Sequence, residues 1–212
     1  MNAWAKEKYL SVKNRLEELG LVCHGQCYFV KTDNNVVWGG VCLDTTSSAC
    51  HVSFSISASL HHPRSWQLAR KFDPKLDFSK WQWVKNQLLS QIPVEGTIKV
   101  DRADFLILKN EMTEAESLAT IDHLIDQVQK YVMPYVASHS DLKTVSESIT
   151  KGGALSPLVT KFAFPILFME AGNVVRARQV LEHFSSRGTY SEAYLANFHR
   201  HYEKELAAHA SC

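Results

Sequence analysis

A strict alternation of apolar and small polar side chains runs through Cys50-His51-Val52-Ser53-Phe54-Ser55-Ile56-Ser57-Ala58-Ser59-Leu60. Successive side chains of a β-strand point to opposite faces of the sheet, so a period of two predicts a strand here. We expect the apolar members to be buried against helices: Val52, Phe54, Ile56 and Leu60. The serine row would face outward, as in an antiparallel sheet with one open face. The candidate partner-binding residues on that face are Ser53, Ser55 and Ser57.

The segments before and after this strand predict a sheet with helices on it. An apolar stripe at helical spacing, followed by Gly20, predicts a helix over about 3–19. The turn residues Asp33-Asn34-Asn35 predict a hairpin of strands 27–31 and 36–43. Pro63 favours a short helix to residue 70, and weaker patterns suggest a helix over 81–91 and strands within 97–108.

The last hundred residues have helical periodicity. Thr113 and Glu116 have capping-box spacing before a stripe that predicts a helix over about 114–137, kinked at Pro134: Leu118, Ile121, Ile125, Val128 and Val132. Further helices are predicted to 149, over 157–171, from Asn173 to about 187, and over 191–209. We therefore predict an α+β fold, with an antiparallel sheet of four or five strands backed by helices in residues 1–140. A helical part, residues 141–212, would pack on it.

Composition narrows the function classes. The 212 residues are 45% apolar and 21% charged, with a net charge of +1, which excludes disordered and collagen-like chains and leaves no basic footprint for nucleic acid. The longest apolar run, 162–169, is too short for a membrane span. Charges near the start interrupt any signal-peptide core, and five cysteines are an odd number. We expect reduced thiols in a cytoplasmic protein without nucleic-acid or membrane partners.

The sequence offers no cofactor or catalytic signature. It contains neither a dinucleotide-type glycine loop nor Gly-Lys-Ser/Thr, so no cofactor is predicted. Cys23, His24 and Cys27 have zinc-compatible types, and Cys42 and Cys50 could approach Cys27 if they lie on adjoining strands. A closed site needs four ligands, so we predict buried thiols and no metal. Ten histidines without a Gly-x-Ser-x-Gly motif single out no catalytic residue. We expect the pair His61-His62 at the surface, at the end of the strand.

An acidic run is a second candidate for partner binding. Only Arg102 and Lys109 oppose five carboxylates, which leaves a local net charge of −3: Asp101, Asp104, Glu111, Glu114 and Glu116. Such a run is usually a solvated rim, and the alternative is recognition of a basic partner. Trp66, near Trp81 and Trp83, would be an interface anchor if exposed, although core packing is commoner for this residue type.

Scattered aromatic and turn positions resemble the bacterial domain of unknown function 4304 family. The likeness covers about residues 6–145 and rests on Lys8-Tyr9 to Leu19-Gly20, Tyr28-Phe29-Val30, Val37-Trp38-Gly39, Trp66, Ile121 to Tyr135-Val136, and Ser140-Asp141-Leu142. The resemblance supplies no catalytic residues. It implies an immunity protein, which neutralises a toxin of neighbouring bacteria by binding it.

These observations predict a non-catalytic binding protein whose partner is a cognate toxin or effector. The candidate contact residues are those of the serine face, the acidic run, His61 and Trp66. Two alternatives stay open. One is a hydrolase that uses a histidine such as His51 or His61 beside a serine, cysteine or carboxylate, and the other is a self-associating scaffold protein.

Overall fold

The computed structural model describes residues 1–24, 27–31, 38–76, 85–88, 105–151 and 160–209. The strands in this part of the chain are β1 Val22–His24, β2 Cys27–Lys31, β3 Trp38–Ser47, β4 His51–His61, β5 Lys85–Leu88 and β6 Phe105–Lys109. The helices are α1 Ala3–Glu18, α2 Pro63–Phe72, α3 Glu114–Gln127, α4 Met133–Ser138, α5 Leu142–Lys151, α6 Phe164–Glu170, α7 Val174–Ser185, α8 Glu192–His201 and α9 Glu203–Ala208. The α+β class predicted from the sequence is confirmed.

The described strands form one sheet in the order β1-β2-β3-β4-β5, with β6 also paired to β4. The pairs β1–β2, β2–β3 and β4–β6 are antiparallel, and β6 lies along the first half of β4, where Ser53 is opposite Ile107. The chain divides into two compact units. In its described part, the first unit contains α1, β1, β2, β3 and the residues of β4 up to Leu60. It also contains residues 86–88 of β5 and all of β6, α3 and α4. The second holds α2 and α5 to α9, although α2 precedes residue 140 in the chain.

The alternation that predicted β4 is confirmed on its apolar side. Val52, Phe54 and Leu60 are buried, as is Ala58, and the Phe54 ring stacks on Tyr9 of α1 at 6.5 Å between centroids. The side chain of Ile56 lies outside the described residues. The expectation of an open serine face is wrong for the second half of the strand, where Ser57 and Ser59 are also buried. Small hydroxyl side chains can either face water or be buried beneath another part of the chain. The alternation alone therefore could not predict which of these two environments the serines occupy.

Helix boundaries in the first unit follow local signals. Asn2 caps α1 by accepting a hydrogen bond from Ala5 N at 2.8 Å, and the helix ends just before Gly20, whose φ is +80°. Both bonds of the predicted capping box form between Thr113 and Glu116 at the start of α3. Leu118, expected in the buried stripe of that helix, is instead 48% exposed. The buried stripe begins at Ser117 and continues through Ile121.

The predicted kink at Pro134 takes the form of a π-helical turn, Val128–Val132, between α3 and α4. Proline lacks the N–H that would bond to the carbonyl of Lys130, and its ring crowds that carbonyl. The preceding turn widens, and Met133 N donates to Val128 O, five residues back. The predicted single helix over 114–137 is therefore three consecutive segments.

The second unit is helical and its core is rich in aromatic rings. Phe72 of α2 makes edge contacts with Tyr194 and Phe198 of α8 at 5.7 and 6.0 Å between centroids. The predicted hairpin of α6 and α7 is confirmed, with Gly172 at φ +74° and Asn173 capping α7 through Arg176 N. The last predicted helix, 191–209, is broken at Tyr202 into α8 and α9.

Two other expectations change. The helix predicted over 81–91 is wrong for residues 85–88, which form β5. Its remaining residues lie outside the described part of the chain, as do Trp81, Trp83 and the turn 33–35. Of the strands predicted within 97–108, only the segment from Phe105 is described, and it is β6.

Two consecutive glycines of β3 sit where no side chain fits. A Cβ on Gly40 would overlap the carbonyl oxygen of Tyr28, and a Cβ on Gly39 would lie 2.5 Å from Val136 Cγ1 of α4. The obstacle at Gly40 is backbone of the neighbouring strand, which cannot move without breaking the β2–β3 ladder. At Gly39 the obstacle is a side chain. These glycines set the distances from β3 to β2 and to α4.

We therefore expect Gly39→Ala to reduce the free energy of unfolding by about 1–3 kcal/mol, through overpacking against Val136. Gly40→Ala should cost about 3–4 kcal/mol, since backbone must shift. Urea unfolding followed by circular dichroism measures both. In a double-mutant cycle, Val136→Ala should recover part of the Gly39→Ala loss and none of the Gly40→Ala loss. Equal rescue of both glycine variants would contradict this assignment of the contacts.

Candidate functional site

One face of the sheet is exposed where β6 pairs with the first half of β4. Ser53 and Ile107 are directly opposite each other in the register, and Ile107 is 49% exposed. Its chain neighbours Leu106 and Leu108 are buried on the other face. An exposed isoleucine in the middle of a strand thus stands at the centre of a surface that the described residues leave open.

Polar side chains surround Ile107 on this surface. Thr46 Oγ1 and Ser53 Oγ lie 2.6 Å apart and hydrogen-bond each other. His51, which is exposed, is opposite Lys109 in the register. We name this surface the outer face and define it as Thr46, His51, Ser53, Ile107 and Lys109. An apolar centre with a polar rim is the usual anatomy of a protein-binding patch.

The acidic run is exposed where it is described, as expected for a solvated rim, but its charges are largely engaged. Glu114 Oε2 accepts a hydrogen bond at 2.9 Å from Lys8 Nζ, an ion pair linking α1 to α3. Glu111 lies 3.5 Å from Lys109 Nζ. Hydrogen bonds from the backbone N–H and hydroxyl of Thr113 lower the pKa of Glu116. Asp101 and Asp104 lie outside the described residues, so the run offers little uncompensated charge in the part that is described.

Three predicted contact residues are buried. Ser57, His61 and Trp66 are 4%, 5% and 4% exposed, so the expectation that they meet a partner at the surface is wrong. Trp66 belongs to the buried stripe of α2, as the core interpretation of this tryptophan predicted. The side chain of Ser55 lies outside the described residues. Of the predicted serines, Ser53 alone is described and partly accessible.

His62 and Ser65 form a buried polar pair at the start of α2. The backbone of His62 is extended, as expected before Pro63, and His62 Nδ1 lies 2.6 Å from Ser65 Oγ. His62 is 1% exposed, so the expected surface location of His61 and His62 is wrong. Burial, then the nearby charges of His61 and Arg64, lowers the pKa of His62 to about 4. A neutral, enclosed imidazole that bonds the first turn of its own helix is a structural element rather than a base open to substrate.

A second serine–histidine pair closes the exposed turn between β3 and β4. Ser48 Oγ accepts from the backbone N–H groups of Cys50 and His51, each at 3.2 Å. His51 Nδ1 lies 2.9 Å from the same hydroxyl, which is left to donate its proton to the ring. The hydroxyl is therefore held by the turn, with water around it, and resembles a turn motif more than an activated nucleophile.

A groove of about 380 Å³ lies in the first unit between the end of α1 and α3. Arg15 reaches across it to Asp122 and also pairs with Glu18, while Leu19 and Ile125 provide apolar lining. Asp126 and Gln129 complete the lining of the groove. The contact of Arg15 with Asp122 links α1 to α3 along this groove.

Neither a metal-ligand cluster nor a membrane-spanning helix occurs among the described residues. No group of three or more His, Cys, Asp or Glu side chains there has the arrangement of a metal site. The thiols of Cys27 and Cys42 are buried, as predicted, and face each other with sulfurs 2.7 Å apart. Within the same residues no helix has the length and apolar character to cross a bilayer.

The chain matches no family model, no curated protein and no solved structure. The likeness to the domain of unknown function 4304 family stays a resemblance, and the geometry must carry the functional argument. Ile107 is the residue that the sequence analysis missed. It lies among apolar neighbours, Leu106 and Leu108, so an alternation of buried and exposed positions is hidden in residues 105–109. The register of β6 with β4, which places Ile107 opposite Ser53, shows that the Ile107 side chain lies on the exposed face.

The buried imidazole of His62 makes stability depend on pH. The unfolded chain binds a proton near pH 6.5 and the folded chain near pH 4, so stability is full above pH 6.5 and falls as the pH drops through this window. The loss attributable to His62 approaches about 3 kcal/mol at pH 4. We expect His62→Gln to flatten the urea-unfolding profile over this range, and His199→Gln, at an exposed position of α8, is the control for replacing an imidazole elsewhere. A His62→Gln profile as steep as that of the wild type would contradict the prediction.

Proposed function

We propose that this chain is a non-catalytic protein-binding module that grips a partner protein with the outer face of its sheet. The observation that carries the proposal is Ile107, half-exposed in the middle of a β-strand and ringed by Thr46, Ser53 and Lys109. Burial of such a side chain in a partner's pocket supplies most of the energy of an interface, while the polar rim excludes water and sets orientation. The hydroxyls of Thr46 and Ser53 bond each other when free and have further acceptor capacity for a partner.

The proposed partner is a bacterial toxin or effector, and the proposed role is that of an immunity protein in the cytoplasm. The resemblance to the domain of unknown function 4304 family supports this class of partner. The described geometry supports binding over catalysis: the buried pair His62–Ser65 is enclosed, and the exposed pair His51–Ser48 is held within a turn. An inhibitor of this kind acts by covering the active site or substrate channel of its target.

The acidic run has a smaller part in this proposal than the sequence suggested. Glu114 and Glu111 already have lysine partners, so a basic protein would have to displace or share those contacts. The Lys109–Glu111 pair is exposed, and such pairs contribute at most about 1 kcal/mol, whereas in the Lys8–Glu114 pair the lysine side chain is buried. We therefore assign the affinity to the apolar centre of the outer face, and to the acidic residues a contribution to the rate of association.

The test is co-expression with the product of the adjacent reading frame, because inhibitors of this class are commonly encoded beside their targets. The wild-type chain should restore growth and copurify with that product. Ile107→Lys should weaken binding by about 30-fold, the cost of losing a central anchor. Leu118→Lys on α3 is the matched control, since Leu118 is 48% exposed but lies on a helix outside the outer face. It should protect and bind like the wild type.

Three results would overturn the proposal. One is a neighbouring product that is not toxic and does not copurify. Another is an Ile107→Lys variant that binds the partner and restores growth as well as the Leu118→Lys variant does. For this comparison both variants must unfold at the same urea concentration as the wild type. The third is light scattering that shows a stable oligomer of the wild type which Ile107→Lys dissociates, because the outer face would then join copies of this chain.

A further inference from the structure

Cys27 and Cys42 occupy paired positions on two antiparallel strands of the first unit. They are direct partners in the β2–β3 register, so their side chains project from the same face of the sheet. Both residues are buried, at 2% and 0% exposure, and their sulfur atoms are 2.7 Å apart. Two thiols thus meet inside the fold without any rearrangement of the backbone.

This separation is unusual for two thiols. Non-bonded heavy atoms settle at roughly 3.5–4.0 Å, whereas a disulfide joins its sulfurs at about 2.05 Å. The two sulfurs stand between these limits, in direct contact with each other. Directly opposite residues of an antiparallel pair have Cβ atoms about 4.5–5.5 Å apart, close to the range that a disulfide spans.

We propose that Cys27 and Cys42 are a dithiol that hydrogen peroxide oxidises to an intramolecular disulfide. One thiolate attacks a peroxide oxygen; the O–O bond breaks, the sulfur becomes a sulfenic acid, and the departing hydroxide takes a proton to become water. The second thiolate attacks the sulfenic sulfur, the S–S bond forms, and the hydroxyl leaves as a second water. Overall, two thiols lose two protons and two electrons, and one peroxide is reduced to two waters.

The other described cysteines lack this arrangement. Cys23 of β1 is opposite Tyr28, the chain neighbour of Cys27, so its side chain points to the other face of the sheet. Cys50 lies in the exposed turn before β4. Burial of Cys27 and Cys42 favours a small oxidant over a bulky disulfide such as oxidised glutathione. The pair should therefore react with peroxide as a unit, and the exposed Cys50 should react alone.

The cross-link would close the loop between β2 and β3, whose ends are 15 residues apart. A disulfide over a loop of this length stabilises mainly by restricting the unfolded chain, and we expect the first unit to melt roughly 5 °C higher when oxidised. This inference is independent of the proposed binding function, because neither cysteine belongs to the outer face.

The test starts with Cys50→Ser, which removes the exposed thiol among the described residues, and non-reducing electrophoresis selects the monomer so that no disulfide between molecules through Cys212 enters the peptide map. The folded protein is treated with hydrogen peroxide, quenched, alkylated under denaturing conditions and mapped by mass spectrometry. We expect a peptide that joins Cys27 to Cys42 and is lighter than the two thiols by the mass of two hydrogen atoms, with Cys23 alkylated. Dithiothreitol should restore both thiols and reverse the rise in melting temperature.

Cys27→Ala and Cys42→Ala should each abolish the cross-link and the change in melting temperature, while Cys23→Ser should change neither. The proposal does not depend on these variants folding, because the peptide map of the Cys50→Ser protein decides it. It fails if Cys27 and Cys42 are both alkylated after peroxide has oxidised the exposed Cys50 of the wild type. It also fails if either residue stops at a sulfinic acid that dithiothreitol does not reduce.

Discussion

Burial of one face of the sheet beneath α1 and α3 is the constraint on which the first unit depends. Val52, Phe54, Leu106 and Leu108 project to that face, and removing such a side chain from water contributes about 1.5–3 kcal/mol each. The Phe54 ring stacks on Tyr9 of α1. Because strand side chains alternate, this burial forces Ser53 and Ile107 to the opposite side. The candidate binding surface is thus a geometric consequence of how the core is filled.

The sequence predicted this unit well where one physical signal dominated. Period-two alternation located β4, the apolar stripe followed by Gly20 located α1, and capping-box spacing located the start of α3, because these patterns depend on residues close together in the chain. Exposure was predicted poorly. Ser57 and Ser59 are as buried as Leu60, since whether a small hydroxyl faces water depends on distant residues that cover it. The same reason explains His61, His62 and Trp66, whose local sequence resembles that of a loop or surface helix.

The candidate site shows the same division between local and long-range information. The acidic run is visible in the sequence, yet Glu114 pairs with Lys8, 106 residues away in the chain, so one of its five carboxylates already has a cationic partner from α1. Ile107 gave no signal because its neighbours in the chain are equally apolar. Its exposure follows from the pairing of β6 with β4, which no pattern within residues 105–109 specifies. Similarly, the contact of Cys27 with Cys42 follows from the register of β2 and β3.

The π-helical turn before Pro134 links helix geometry to the spacing of the sheet. Each residue of an α-helix rotates the following side chains by about 100°, so one residue accommodated in a wider turn resets the direction in which α4 presents Val136. That side chain meets β3 at Gly39. Loss of any one residue from 128–132 would rotate the direction in which α4 presents its side chains by about 100° and turn Val136 away from the strand. The length of this short segment therefore constrains the packing of α4 on β3 more than the identity of its solvent-facing residues, such as Gln129 and Lys130.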